Sequence, residues 1–148
     1  MTIDVDYLDD GKGAIYKASS VLSGEELIAA NERVLSRALG GGSLLYSFFD
    51  CNSITGVAIS DAQLRRVADQ DVAASRRMRN RVIVAIHAKD DVPFALARMW
   101  MVYVEAAGWE TNVFRRKSEA VAWLKERMTA AFGVDLSLNS LDAQPMAS

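Results

Sequence analysis

Two short apolar runs constrain the fold of this chain more than any other feature. Leu44 to Phe49 and Val82 to Ile86 are nearly continuous in apolar residues, and glycines or polar residues bound them. Runs of this kind read as strands buried on both faces, which calls for a sheet with helices packed against it. The rest of the chain supplies them. Ile3, Val5 and Tyr7 alternate with polar residues as in a half-buried strand, and Asp9-Asp10-Gly11-Lys12-Gly13 is a turn into a second strand over Ala14 to Ala18. Ser23 caps a helix that carries Leu27, Ala30, Val34 and Leu35 and stops at Gly40. After the first apolar run, residues 51–59 read as a loop. Ser60-Asp61 then opens a second helix with Leu64, Val67, Ala68, Val72, Ser75 and Met78 on one side.

Pro93 suits the first turn of a third helix, which runs to about Ala107 before Gly108. Thr111 to Phe114 is a short strand, and Ser118 caps a fourth helix that ends at Gly133. The predicted fold is therefore α/β: one mixed, mostly parallel sheet of about five strands with four helices, in the order ββαβαβαβα. The domain covers residues 1–133. Residues 134–148 form a tail that is either a short edge strand, through Val134, Leu136 and Leu138, or frayed.

Composition narrows the function by exclusion. A chain of 148 residues, 51% hydrophobic and 24% charged, is expected to be one ordinary globular domain. A net charge of -2 provides no global field for nucleic acid, and no apolar run is long enough to span a bilayer. The acidic, alternating N-terminus does not resemble a secretory signal, so a cytoplasmic location is expected. Cys51 is the only cysteine, which excludes an intrachain disulfide and a multi-cysteine metal site. One histidine with scattered carboxylates gives no metal-ligand spacing, and Gly40-Gly41-Gly42-Ser43 lacks the lysine and the position of a phosphate loop. No metal or cofactor is expected.

Three stretches carry a family resemblance. They are Phe48-Phe49-Asp50 before the Ser60-capped helix, Pro93-Phe94-Ala95-Leu96-Ala97-Arg98-Met99, and Asn112-Val113-Phe114-Arg115-Arg116 leading into Ala120-Val121-Ala122-Trp123-Leu124. Together with the order of elements, they make the chain resemble the SpoIIAA-like superfamily, which includes STAS domains and is linked by name to SEC14-type lipid carriers. Within it, the match is to a group of uncharacterised bacterial SpoIIAA-like proteins, over residues 10–127. The resemblance implies a regulatory module acting through protein partners, and the SEC14 association implies a carrier of a small ligand. Regulatory STAS domains have an Asp-Ser-Ser-Gly-like motif with a phosphorylated serine where the helix after the central strand begins. Here that region reads Ala58-Ile59-Ser60-Asp61-Ala62. Ser60 is thus a candidate regulatory serine, but the aspartate follows it and the glycine is missing, so the phospho-switch does not carry over. A helix N-cap accounts for Ser60.

Candidate site residues fall into three groups. Ligands of parallel sheets gather beyond the carboxyl ends of the strands. This puts Asp50, Asn52, Ser53, His87, Lys89, Arg115 and Arg116 on one edge that could receive an anion, with the start of the fourth helix nearby. Cys51 and His87 would form a nucleophile and base if they met. Arg76, Arg77, Arg79 and Arg81 read as a solvated helix end, the alternative being a contact for an acidic partner.

On the third helix, Leu96, Trp100, Tyr103 and Ala107 are expected to face the sheet. Phe94, Met101 and Val102 then flank a charged strip of Arg98 and Glu105, as a protein interface, covered by the tail, or as the seat of an apolar ligand. The resulting reading is a non-enzymatic regulatory or interaction module, self-associating as a homodimer or binding another protein. A carrier or sensor of a small apolar or anionic molecule ranks second, and a Cys51-dependent enzyme third.

Overall fold

The two apolar runs lie side by side. In a computed structural model, which describes residues 2–136, they belong to β3 (Tyr46–Ala58) and β4 (Ile83–His87), paired in parallel with Phe48 opposite Ala85. The other elements are β1 (Ile3–Leu8), β2 (Gly13–Ser23), α1 (Gly24–Leu39), α2 (Asp61–Ser75), α3 (Asp91–Tyr103), β5 (Glu110–Phe114) and α4 (Lys117–Phe132). Strand order in the sheet equals sequence order, β1-β2-β3-β4-β5. Only the β1–β2 pair is antiparallel.

That order decides where the helices go. Right-handed crossovers that always step in the same direction place every connecting helix on the same face. The buried residues of α1, α2 and α3 accordingly share one cluster, with Leu27 and Val34, Leu64 and Val67, and Ala97 and Trp100 packed over Tyr16, Val84 and Ile86. Five strands span about 19 Å between outer axes. Three helices at about 10 Å spacing need about 20 Å. The face is then full, and α4 returns on the other side, where Leu124 and Met128 pack on Tyr46, Phe48, Ile83 and Ala85. One helix does not span that side, and β1 answers with exposed Asp4 and Asp6, the latter 3.5 Å from Lys17.

The structure departs from the sequence reading at five places. Residues 51–58 continue β3 instead of forming a loop, and β2 runs on to Ser23. Two register shifts on β3 break its period, and Asn52, Ser53, Thr55 and Gly56 mask it further. The Asp50 carboxylate accepts the Asn52 N–H at 2.9 Å, satisfying backbone at the first shift. Helix α4 begins at Lys117, so Arg116 holds the cap position and Ser118 lies inside the first turn.

Residues 133–136 are not a strand. Leu136 is buried and Val134 half-buried against the α4 cluster, on the opposite side of the sheet from α3, and Leu138 lies outside the described residues. The covered face of α3 is also rotated from the expected one. Ala97, Trp100 and Val104 are the buried positions, while Leu96, Tyr103 and Ala107 flank them half-exposed.

Tight approach at the start of β2 makes one glycine essential. A Cβ on Gly13 would lie 2.1 Å from the ring of Tyr46, which is fully buried and donates its hydroxyl to Asp9. Gly13→Ala is expected to lower stability by about 1–3 kcal/mol through overpacking, read from urea denaturation midpoints. An unchanged midpoint would mean that the Tyr46 ring moves freely.

Candidate functional site

The expected strand-end edge divides between the two faces of the sheet. Asp50 and His87 are opposite one another in register and both point to the α4 side, where His87 Nδ1–H donates to Asp50 Oδ1 at 3.1 Å. Lys117 Nζ, at the start of α4, sits 3.5 Å from Asp50 Oδ2. Burial pushes the Asp50 carboxyl up. The hydrogen bonds from His87 and the Asn52 N–H, with the Lys117 charge, outweigh it and hold Asp50 below the usual carboxylate range.

Arg115 turns away from this group. It donates to Asp91 at 2.7 Å and to the Lys89 carbonyl at 3.1 Å, with its guanidinium 4.1 Å above the Phe94 ring. Arg116, Lys89 and Ser53 are exposed, and Ser53 lies opposite Ser19 in the sheet. The structure thus joins Asp50, His87 and Lys117, a residue outside the expected set, and leaves the exposed members apart.

Cys51 and His87 do not meet. Strand alternation turns Cys51 to the α1–α3 side, among the apolar cluster there, while His87 faces α4. Burial, with the Asp50 charge second, pushes the Cys51 thiol up to about 12, so it carries almost no thiolate at neutral pH. Native protein is expected to react with a thiol reagent only as it unfolds, and rapid stoichiometric labelling at neutral pH would contradict this placement. Ser60 is an N-cap with both arms of a capping box. It accepts the Gln63 N–H at 3.1 Å, and the Gln63 side chain accepts the Ser60 N–H at 2.9 Å.

The site with most chemical character lies where the sequence reading placed only core. Between the sheet and helices α1 to α3 is a cavity of about 110 Å³. Its walls are mostly carbon, from residues such as Phe49, Ile86, Leu27, Leu64 and Val67. Four polar side chains on it form a connected network. Asp71 on α2 is 2% exposed. Its Oδ2 accepts the Trp100 indole N–H at 3.0 Å, and its Oδ1 accepts Asn31 Nδ2 at 3.0 Å. Asn31 in turn accepts the Tyr16 hydroxyl at 3.4 Å and donates to Gln70 at 3.0 Å.

The network therefore ties α1, α2, α3 and the sheet together through one carboxyl. Trp109 also lines the cavity, and its buried indole N–H has no partner among the described residues. Among the described residues no Lys, Arg or His side chain lines the cavity. A signal for this site exists in the sequence. Asp71 continues the spacing of Leu64, Val67 and Ala68, and Asn31 that of Leu27 and Ala30, so both polar residues interrupt apolar stripes.

Burial raises the Asp71 pKa to about 7, against the opposing effect of its hydrogen bonds from Asn31 and Trp100. The folded protein then holds a proton that the unfolded chain has released, and its stability falls as pH rises from the ordinary carboxyl value toward 7. The full effect is on the order of 4 kcal/mol. Asp50 has the opposite sign: its contribution is present at neutral pH and is lost on acidification through its lowered pKa. We expect melting temperature to drop between about pH 5 and about pH 7 in the wild type and to stay flat in Asp71→Asn. Parallel profiles for the two proteins would refute the buried acid.

With this geometry in place, comparison with solved structures identifies the fold. An uncharacterized protein of the DUF3478 family from Shewanella loihica, described as having a SpoIIAA-like fold, superposes with a TM-score of 0.52 at 18% identity, covering 82% of this chain and 91% of that one. This chain has a SpoIIAA-like fold. The anti-sigma factor antagonist SpoIIAA in its unphosphorylated form is similar at a TM-score of 0.49 and 10% identity, over 82% of this chain and 96% of that one. No family model matches the sequence, and no curated protein matches it. In this SpoIIAA-like domain no described helix is long and apolar enough to cross a membrane.

Proposed function

We propose that the domain is a non-enzymatic regulatory module that self-associates through the outward face of α3. The observation that carries this reading is an exposed apolar stripe. Val92 (60% exposed), Met99 (38%) and Val102 (67%) recur at helical spacing with exposed Ala95 and Ala106 between and after them, directly opposite the buried side of the helix. A surface helix ordinarily carries polar residues there. Phe94 and Met101, expected on this surface, pack against the core instead and are only half-exposed. Arg98 and Glu105 border the stripe, both exposed, seven residues apart and opposite in charge. A two-fold axis near Val102 sets Arg98 of each copy against Glu105 of the other, so the same patch is its own complement. Such rim charges fix register more than affinity.

Light scattering tests the reading. The wild type is expected to be a dimer at high micromolar concentration. Met99→Glu with Val102→Glu is expected to be a folded monomer with an unchanged circular dichroism spectrum, because neither side chain is in the core. Arg98→Glu should weaken the dimer, and adding Glu105→Arg should restore it. A wild type that stays monomeric at that concentration would overturn self-association.

A further inference from the structure

A separate inference concerns the cavity beneath the three helices. We infer that it binds a small neutral molecule, mostly hydrocarbon and about the size of one aromatic ring, whose single hydroxyl group hydrogen-bonds to the Asp71 carboxyl. Size comes from volume: about 110 Å³ is similar to a dry engineered cavity of about 150 Å³ that takes benzene. Apolar character comes from the walls, which give water few partners.

Neutrality follows from the charges. The acidic group on the wall is Asp71, and among the described residues no cationic side chain lines the cavity, so an anion has nothing to pair with. An ammonium group would lose its hydration to a carbon surface for a single buried carboxyl. A hydroxyl suits the polar groups that are present. Each Asp71 oxygen accepts one hydrogen bond within the network, and a hydroxyl, which both donates and accepts, pairs with this carboxyl whether or not it holds its proton. A hydroxyl oxygen is also an acceptor of the kind that the unpartnered Trp109 N–H lacks.

Two alternatives are weaker. As a packing void alone, the cavity would cost stability without return, and the same core would be expected to keep polar side chains off its walls. The Asp50–His87–Lys117 group on the other face is closed by its own mutual hydrogen bond and ion pair.

Trp100 and Trp109 both line the cavity, so tryptophan fluorescence reads occupancy directly. The probes are benzene, phenol and benzoate, titrated into the full chain. Phenol is expected to change the fluorescence saturably and to bind roughly five-fold tighter than benzene, the equivalent of one ordinary net hydrogen bond. Benzoate is expected not to bind.

In Asp71→Leu, which removes both oxygens at similar size, the preference for phenol over benzene should shrink toward equality, while benzene affinity stays within about two-fold. Ala97→Leu, which adds bulk to the wall, should abolish binding of both. Cys51→Leu provides a second filling variant if the first does not fold. Absence of saturable binding by phenol and benzene overturns the site, as does phenol binding that survives a folded cavity-filled variant. Benzoate binding as tight as phenol overturns the neutral ligand class, and an unchanged phenol preference in a folded Asp71→Leu overturns the role of Asp71. None of these outcomes depends on the oligomeric state.

Discussion

The rest of the structure depends on the handedness of the crossovers in a sheet whose strands never reverse direction of travel. Because β2, β3, β4 and β5 are added in sequence order, right-handed connections stack α1, α2 and α3 on one face. That face is then saturated, and α4 must close the other. The central strands are buried on both sides as a result, which is why β4 is buried over its whole length. The uneven split also explains β1, which alternates in polarity because α4 does not reach across its outer face.

The face that carries three helices also carries the polar network. Beneath these three helices lies a cavity with a polar seam. Asp71 is the node of that seam, holding Asn31 of α1 and Trp100 of α3 through its two oxygens. A buried carboxyl is costly unless its oxygens are occupied, and removing either donor would leave it more exposed to that cost. The α2–α3 seam has a second fastening at the surface, where the Tyr103 hydroxyl donates to Asp61 at 2.6 Å and Arg65 lies over the Tyr103 ring.

Helix α3 consequently has two different faces. Its inner side contributes Trp100 and Ala97 to the cavity wall, and its outer side presents the apolar stripe through Val102. Its start is held by Arg115, which binds Asp91 and stacks on Phe94.

Much of this was legible in the sequence, for identifiable reasons. Unbroken apolar runs announced β3 and β4, and capping signals placed the starts of α1 and α2, because these depend on neighbours a few residues away. The second half of β3 was hidden, since two register shifts destroy the alternation that marks a strand. On α3 the apolar residues surround the helix, so periodicity alone did not separate the core positions Ala97 and Val104 from the exposed stripe. The sequence by itself determined the class of fold, the order of its elements and the absence of a second cysteine for Cys51. Only the tertiary structure decided that Cys51 and His87 face opposite ways, that Lys117 joins Asp50, and that Asn31, Asp71 and Trp100 converge. Those pairings join residues 29 to 67 positions apart, and such distances close only when the strand order and the crossovers bring separate helices over the same patch of sheet.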